Sequence, residues 1–486
     1  MRGKEPMMIA NRTYTFAPGS LAAPGGIVEA VKDAVTGEPL RWFVSMADPE
    51  AIQVEVTECL GLPPAPIGPV PPPPPTGRAV VVSLVPTGIG CAFGGYAGDA
   101  APPTALLGAA ADLVVTNPNA VNASNFIFSD DRVVYTEGYS LNLFATGVVP
   151  LYRPRSNRIG VIIERADDRS LDEVFNVINV ARAVYGLEIT DYLVTEEPAG
   201  TCCVRSGSGA YGGQIERPEV LLSAGRRLID AGATALAVTT NVRGLPTAEY
   251  SRHFFGAHPN PVGGAEAVVS HLLTRTLGVP SAHAPMINFK DLEPGTGVVD
   301  ARAAAEFIST SGLACVLIGL RRAPQLAPRP RCVTTEVIGV ADVVAVVAPA
   351  TALGSAPVLS AVERGTPVIA VRENETILNV TAAAVGLGSV IEVDSYLAAS
   401  GVVLALRNGS SSESLRRPLV ARGAGRGHDE HSGSIPPPAE AVGASARVNL
   451  AGQVRTARQS VPSRHLTALP HPGEPAETSA GSSRRT

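Results

Sequence analysis

The chain has 486 residues, 45% of them hydrophobic and 17% charged, with a formal net charge of -5 at pH 7. That apolar content supports a large core and excludes a wholly disordered chain, a fibrous repeat and a disulfide-stapled mini-protein. At ~150 residues per domain the length allows roughly three domains, and the near-balanced charge offers nothing to nucleic acid or to an anionic membrane.

Glycine and proline are abundant, at 49 and 42 residues, which points to long loops or disordered segments. The only lysines are Lys4, Lys32 and Lys290, so a Schiff-base mechanism would have to use Lys290. The six cysteines form no CxxC pair, which removes the spacing expected of zinc ribbons and thioredoxins. Arg2 and Lys4 precede MMIANRTYTF, with polar residues where a signal peptide needs an apolar run of about seven. No stretch reaches the ~18 apolar residues of a membrane span. A cytoplasmic protein with reduced thiols is expected.

Taken in chain order, residues 1–60 form a small α+β unit with strands in TYTFAP, LRWFVSM and AIQVEVTEC and a helix in GGIVEAVKDAV. The prolines of 61–77 remove backbone donors and favour an extended spacer. From 78 to 407 short β-branched runs alternate with helical patterns. The strand candidates are 79–85, 112–116, 158–164, 235–240, 314–320, 342–348 and 367–373. Helices are expected in LDEVFNVINVARAVYG, PEVLLSAGRRLIDAG, AEAVVSHLLTRTLG and APVLSAVERG. This alternation predicts an α/β fold, a doubly wound and mostly parallel sheet in two lobes. Residues 408–486 are rich in Ser, Gly, Pro and Arg, bury too little to offset chain entropy, and are expected to be a disordered tail.

Ligands of such folds bind beyond the carboxyl ends of the strands. The first core strand runs into a loop holding Thr87, Gly88, Gly90, Gly94, Gly95 and Asp99, whose glycines could expose N–H groups to an anion. A plain tight connection accounts for them equally well. The next strand ends in a turn with Asn117, Asn119 and Asn122, residues that orient a polar ligand or simply close the turn. Glu137 and Glu164 end strand-like runs, as catalytic acids or as solvated strand ends. Gly207, Gly209 and Tyr211 fall in a GxGxxG stretch that, with Ser206 before it, is a second candidate for binding an anionic group, but the segment before it is a poor strand, so NAD or FAD binding has little support. Glu216 follows as a secondary acid. No GK[ST] completes a phosphate-binding P-loop.

The densest polar cluster spans His258 to His283. Glu266 falls near the start of an expected helix, where the dipole alone would favour it. Glu266 and His271 are five residues apart, ~500° of helical rotation, so they do not share a face. His283 sits in an Ala/Pro-framed loop, and His253 and His258 lie in a second loop. A divalent metal is compatible with this cluster, although no HExxH or His-x-His specifies one. Cys91 is a candidate nucleophile if a helix begins near Gly94, Cys202 and Cys203 are weaker ones, and Cys315 reads as inert core. Later, residues 348–376 resemble the C-terminal lobe of nucleotide-sugar transferases and epimerases, which makes Asn374 and Thr376 candidate polar contacts.

The blocks PTGIGCAFGGYAGDA, TNPNAVN, YTEGYSLNLFA, SGSGAYGGQIERPEVLL, NPVGGAEAVVSHLLTRTLGVPSAHAP, ARAAAEFI, CVLIGLRRAPQ and VIAVRENET, in that order, resemble the family named domain of unknown function 3326, known from bacteria, notably cyanobacteria, and from plastids. The resemblance covers about residues 79–407 and implies no established activity. The family pattern reads HPN where this chain has Asn117-Pro118-Asn119, and a small apolar residue at Cys91.

Together these features predict an enzyme for a small polar, anionic metabolite, working by acid/base or metal-assisted chemistry as a hydrolase, lyase or isomerase. Glu266, His271 and His283 lead its catalytic candidates, with Asp99, Glu137 and Glu216 behind them. The alternatives are a nucleotide- or sugar-nucleotide-binding regulatory module without turnover, and a scaffold acting through the proline segment and tail. A homo-oligomer is compatible with the sequence, and no nucleic-acid or membrane partner is expected.

Overall fold

The computed structural model describes residues 6–21, 26–122, 130–245, 247–256, 258–286, 297–308 and 312–419. Lys290 and the expected tail beyond residue 419 lie outside the described residues. Val- and Ile-rich runs suit strands covered on both faces. They form a six-stranded sheet in the order Val390–Val393, Val368–Val371, Val343–Pro349, Val80–Ser83, Leu113–Thr116, Val133–Tyr135. Every neighbouring pair in it is parallel. A second parallel sheet has four strands, Ser281–Pro285, Ala235–Thr240, Ile159–Ile163 and Ile189–Val194. The chain winds outward in both directions from Val80–Ser83 in the first sheet and from Ile159–Ile163 in the second, which is the doubly wound, two-lobed α/β architecture.

Local chemistry sets the helices between the strands. Asp167 accepts the Ser170 N–H at 3.1 Å to open the helix Asp168–Tyr185, and Gly186, at φ 62°, closes it, the usual cap residues at each end. Two expectations fail in opposite ways. The run 314–320 is the helix Gly312–Leu320 and not a strand, because it is buried on nearly every side and an apolar run of that length serves either element. Ser281–Pro285, expected as a loop, is an edge strand paired with Ala235–Thr240, where tertiary pairing overrides weak intrinsic preference. His253 likewise sits on the helix Thr247–Phe254, not in a loop.

The segment judged a poor strand, Thr201–Arg205, pairs antiparallel with Tyr211–Ile215. The GxGxxG stretch is therefore the turn of a hairpin, not the opening of a dinucleotide-binding helix. The start of the helix Gly263–Leu277 presses directly on this hairpin. A Cβ at Gly264 would be driven into the Tyr211 carbonyl oxygen, and one at Gly213 into the backbone of Ala265.

The N-terminal strands Met8–Phe16, Ile52–Leu60 and Glu38–Ala47 form an antiparallel sheet with the helix Gly26–Ala34 beside it. Arg41 from this sheet donates to the carbonyls of Tyr211 at 3.0 Å and Thr87 at 2.9 Å, and Val44 N donates to Gly354 O at 2.9 Å. The proline segment has no regular secondary structure and lies along the core: Val70 N donates to Val148 O at 2.8 Å. Thr76 N and Oγ1 donate to the Asp342 carboxylate at 2.7 and 2.9 Å. Residues Met1–Leu419 constitute one compact unit. Among the described residues no helix is long and apolar enough to cross a membrane.

Gly264→Ala is expected to cost ~1–3 kcal/mol, because backbone atoms block the added methyl. Gly207→Ala, with open space around it, should stay within ~0.5 kcal/mol of the parent. Urea unfolding of the two variants measures the contrast.

Candidate functional site

The carboxyl ends of strands from both sheets open onto one cavity of about 520 Å³. The loop after Val80–Ser83 supplies Thr87, Gly88, Gly90, Gly94 and Gly95, and the turn after Leu113–Thr116 supplies Asn119 and Asn122. Thr239 and His283 come from the second sheet, Glu266 from the first turn of the helix Gly263–Leu277, and Glu306 from the short 3-10 turn Ala303–Ile308. Tyr96, Tyr250, Ser170, Glu173, Asn176 and Asn260 add to the polar lining.

The Glu266 carboxyl makes no hydrogen bond or ion pair among the described residues. Burial pushes its carboxyl up to about 8, and the neighbouring Glu306 adds to the effect, since desolvation and a like charge both disfavour the anion. Burial raises Glu306 as well, partly offset by the Ala97 N–H that it accepts at 2.6 Å. His283 Nε2 is 2.9 Å from Thr240 Oγ1, while Nδ1 is buried without a partner. Burial lowers this imidazole to about 3, so it is neutral at pH 7.

The glycine loop spends part of its donor set on the chain's own side chains. Asp99 Oδ1 accepts the N–H groups of Gly94 at 2.9 Å and Tyr96 at 3.3 Å. Asn374 Oδ1 takes Phe93 N–H at 2.9 Å, and its amide donates to Tyr396 Oη at 2.8 Å. With Glu306 on Ala97, the chain's own side chains occupy donors that an anionic ligand would need. Asp99 is therefore a brace of the loop. Burial holds its carboxyl up at about 7 against those two hydrogen bonds, and its Oδ2 is buried and unpartnered.

Other candidates are placed elsewhere. Asn117 clamps Val85, with Oδ1 on its N–H at 3.0 Å and Nδ2 on its carbonyl at 2.7 Å. Glu137 caps the helix Gly138–Ala145 through Tyr139 N and Ser140 N. His271 lies 3.4 Å from Glu137 and 2.8 Å from Leu40 O, beside a smaller cavity of about 150 Å³. Glu164 is buried and accepts the N–H groups of Ala199, Gly200 and Asn241. Glu216 is a surface residue paired with Arg243 at 3.3 Å. Ser206 and Gly207 border a separate pocket of about 140 Å³ with Arg12, Arg41 and Glu55, and Gly209, at φ +86°, belongs to the same hairpin turn. Tyr211 is buried and bonds to Glu249, and Thr376 bonds to Thr351 at 2.9 Å.

Cys91 lines the cavity, but the nearest following helix begins only at Ala101. Its thiol donates to Pro86 O at 3.3 Å, and burial raises it far above the thiolate range, which removes the basis for a nucleophile. Burial also pushes Cys203 up, to about 12. Among the described residues no three His, Cys, Asp or Glu side chains gather to hold a metal ion. Glu306, Tyr250, Thr239, Ser170, Glu173 and Asn176 are polar lining residues that sequence reasoning missed. Glu306 was detectable as the lone acid in the apolar run ARAAAEFI.

Two outcomes follow. For a carboxyl raised in the fold, the stability of its neutral form is complete below its ordinary value of 4.5 and is lost as pH rises through about 8. Glu266→Gln should therefore match the parent near pH 4 and exceed it at pH 9 by a few kcal/mol, from ~1.4 kcal/mol per pH unit. Chemical denaturation at the two pH values measures this. Arg41→Met should lose ~1.5–3 kcal/mol at any pH between 5 and 9 by roughly the worth of charge-assisted bonds, checked by thermal melts.

A family model described as "Protein of unknown function (DUF3326)" matches residues 80–416. An uncharacterized lipoprotein of Synechococcus sp. is 36% identical over 336 residues, 68% of this chain and 92% of the relative. No solved structure matches the chain.

Proposed function

The chain belongs to the DUF3326 family, and we propose that it is an enzyme acting by acid/base chemistry on a small polar metabolite, in the hydrolase, lyase or isomerase range. One observation carries the reading: an unpaired Glu266 carboxyl in the wall of a roomy cavity lined by both polar and apolar groups. A buried carboxyl without a partner costs stability, and a titration point of about 8 keeps it mostly protonated at pH 7 yet able to give up the proton, which suits a general acid and its conjugate base. Burial, with Glu306 beside it, holds Glu266 in that range, and Asn119, Asn122 and Thr239 supply neutral hydrogen-bonding groups around a substrate. His283 stays neutral and can exchange hydrogen bonds without adding charge.

The test is turnover of a metabolite mixture followed by mass spectrometry. The parent chain should deplete one component, and Glu266→Gln should slow that by ~100-fold or more. Equal turnover by the variant would contradict the assignment. Ligand-induced stabilisation without any product would favour the regulatory binding module. The proposal includes a cytoplasmic location; recovery with the membrane fraction, the location a lipoprotein would have, would overturn that part.

A further inference from the structure

We infer that the ligand of the 520 Å³ cavity is positively charged, a protonated amine or amidine on a small polar frame. This rests on the proposed reading only for where the ligand sits, not for whether it is turned over.

The charges of the wall point one way. Among the described residues that line it, Glu173, Glu266 and Glu306 are acids, and there is no Arg or Lys. Glu173 lies 3.7 Å from Arg169 and is largely solvated, so the two inner carboxyls define the site. The imidazole is neutral, so no cation opposes them among the described residues of the wall.

The hydrogen-bonding groups point the same way. An anion would need donors, and the loop N–H groups of Phe93, Gly94, Tyr96 and Ala97 are already taken by Asn374, Asp99 and Glu306. The acceptors that remain open in the wall are the Glu266 carboxyl and the buried, unpartnered Asn122 Oδ1. His283 is a separate sign of a missing ligand, since it is only 6% exposed, lines the cavity and leaves Nδ1 unpartnered. An ammonium or amidinium group donates several hydrogen bonds and accepts none. It would also supply the counter-charge that Glu266 lacks, drawing that carboxyl into its ionised form and releasing its proton.

Calorimetry on the full chain at pH 7, in two buffers of different ionisation heat, tests this with matched probes: methylammonium, 1,4-diaminobutane and acetamidine against acetate and succinate. At least one cationic probe should bind with release of part of a proton, and Glu266→Gln should weaken it by more than 10-fold and abolish the release. Glu216→Gln, a surface control, should change neither. Binding of the carboxylates in preference to the cations, no binding by either series, or cation binding unaffected by Glu266→Gln would each overturn the inference. Binding without turnover would refute the enzyme reading alone. Turnover of an anionic substrate would refute the positive charge and leave the enzyme reading standing.

Discussion

A carboxyl group set in a cavity wall, partly withdrawn from water and with no cation beside it among the described residues, is the constraint around which this cavity is arranged. Ionised Glu266 would lose hydration that nothing described in the wall replaces. The helix N-terminus on which it sits favours the anion by no more than ~2 kcal/mol, and against it burial pushes the carboxyl up to about 8. Its position is fixed by backbone contact: the helix start at Gly263 and Gly264 lies against Thr87 and Tyr211 with no room for a side chain. That close approach sets the first turn of the helix, and with it the carboxyl, against the loop that closes the cavity.

The same loop is held from behind by segments distant in sequence. Arg41 ties Thr87 and Tyr211 to the N-terminal sheet, and Asn374 ties Phe93 to the far edge of the six-stranded sheet through Tyr396. The N-terminal sheet lies outside the part of the chain that the family model matches, 80–416, yet it braces two loops around the site. The proline segment joins it to the core as a strap, pinned by Thr76 and Asp342. Rigid support of this kind is what a site needs to hold an unfavourable charge environment in place.

The lobes were legible in the sequence because the Val-rich runs at 79–85, 112–116 and 342–348 belong to parallel strands buried on both faces, where composition and environment coincide. Gly312–Leu320 and Ser281–Pro285 were misread because burial on all sides and edge pairing are tertiary facts with no local signature. For the site, the clustering of glycine at strand ends did locate the cavity, and Glu266 and His283 do line it. The charge of the ligand was not legible. Glycines announce available N–H groups, but not that Asp99 accepts from Gly94, or that Asn374 and Glu306, each more than two hundred residues away, accept from the neighbouring Phe93 and Ala97.

Selective carbon-13 labelling of glutamate, with the Glu266 signal assigned by its loss in Glu266→Gln, allows the carboxyl to be titrated directly by NMR. A midpoint near 8 is the value expected of an uncompensated carboxyl in this wall. A midpoint at the ordinary 4.5 would mean that the group is solvated or paired, and would contradict the account of the site.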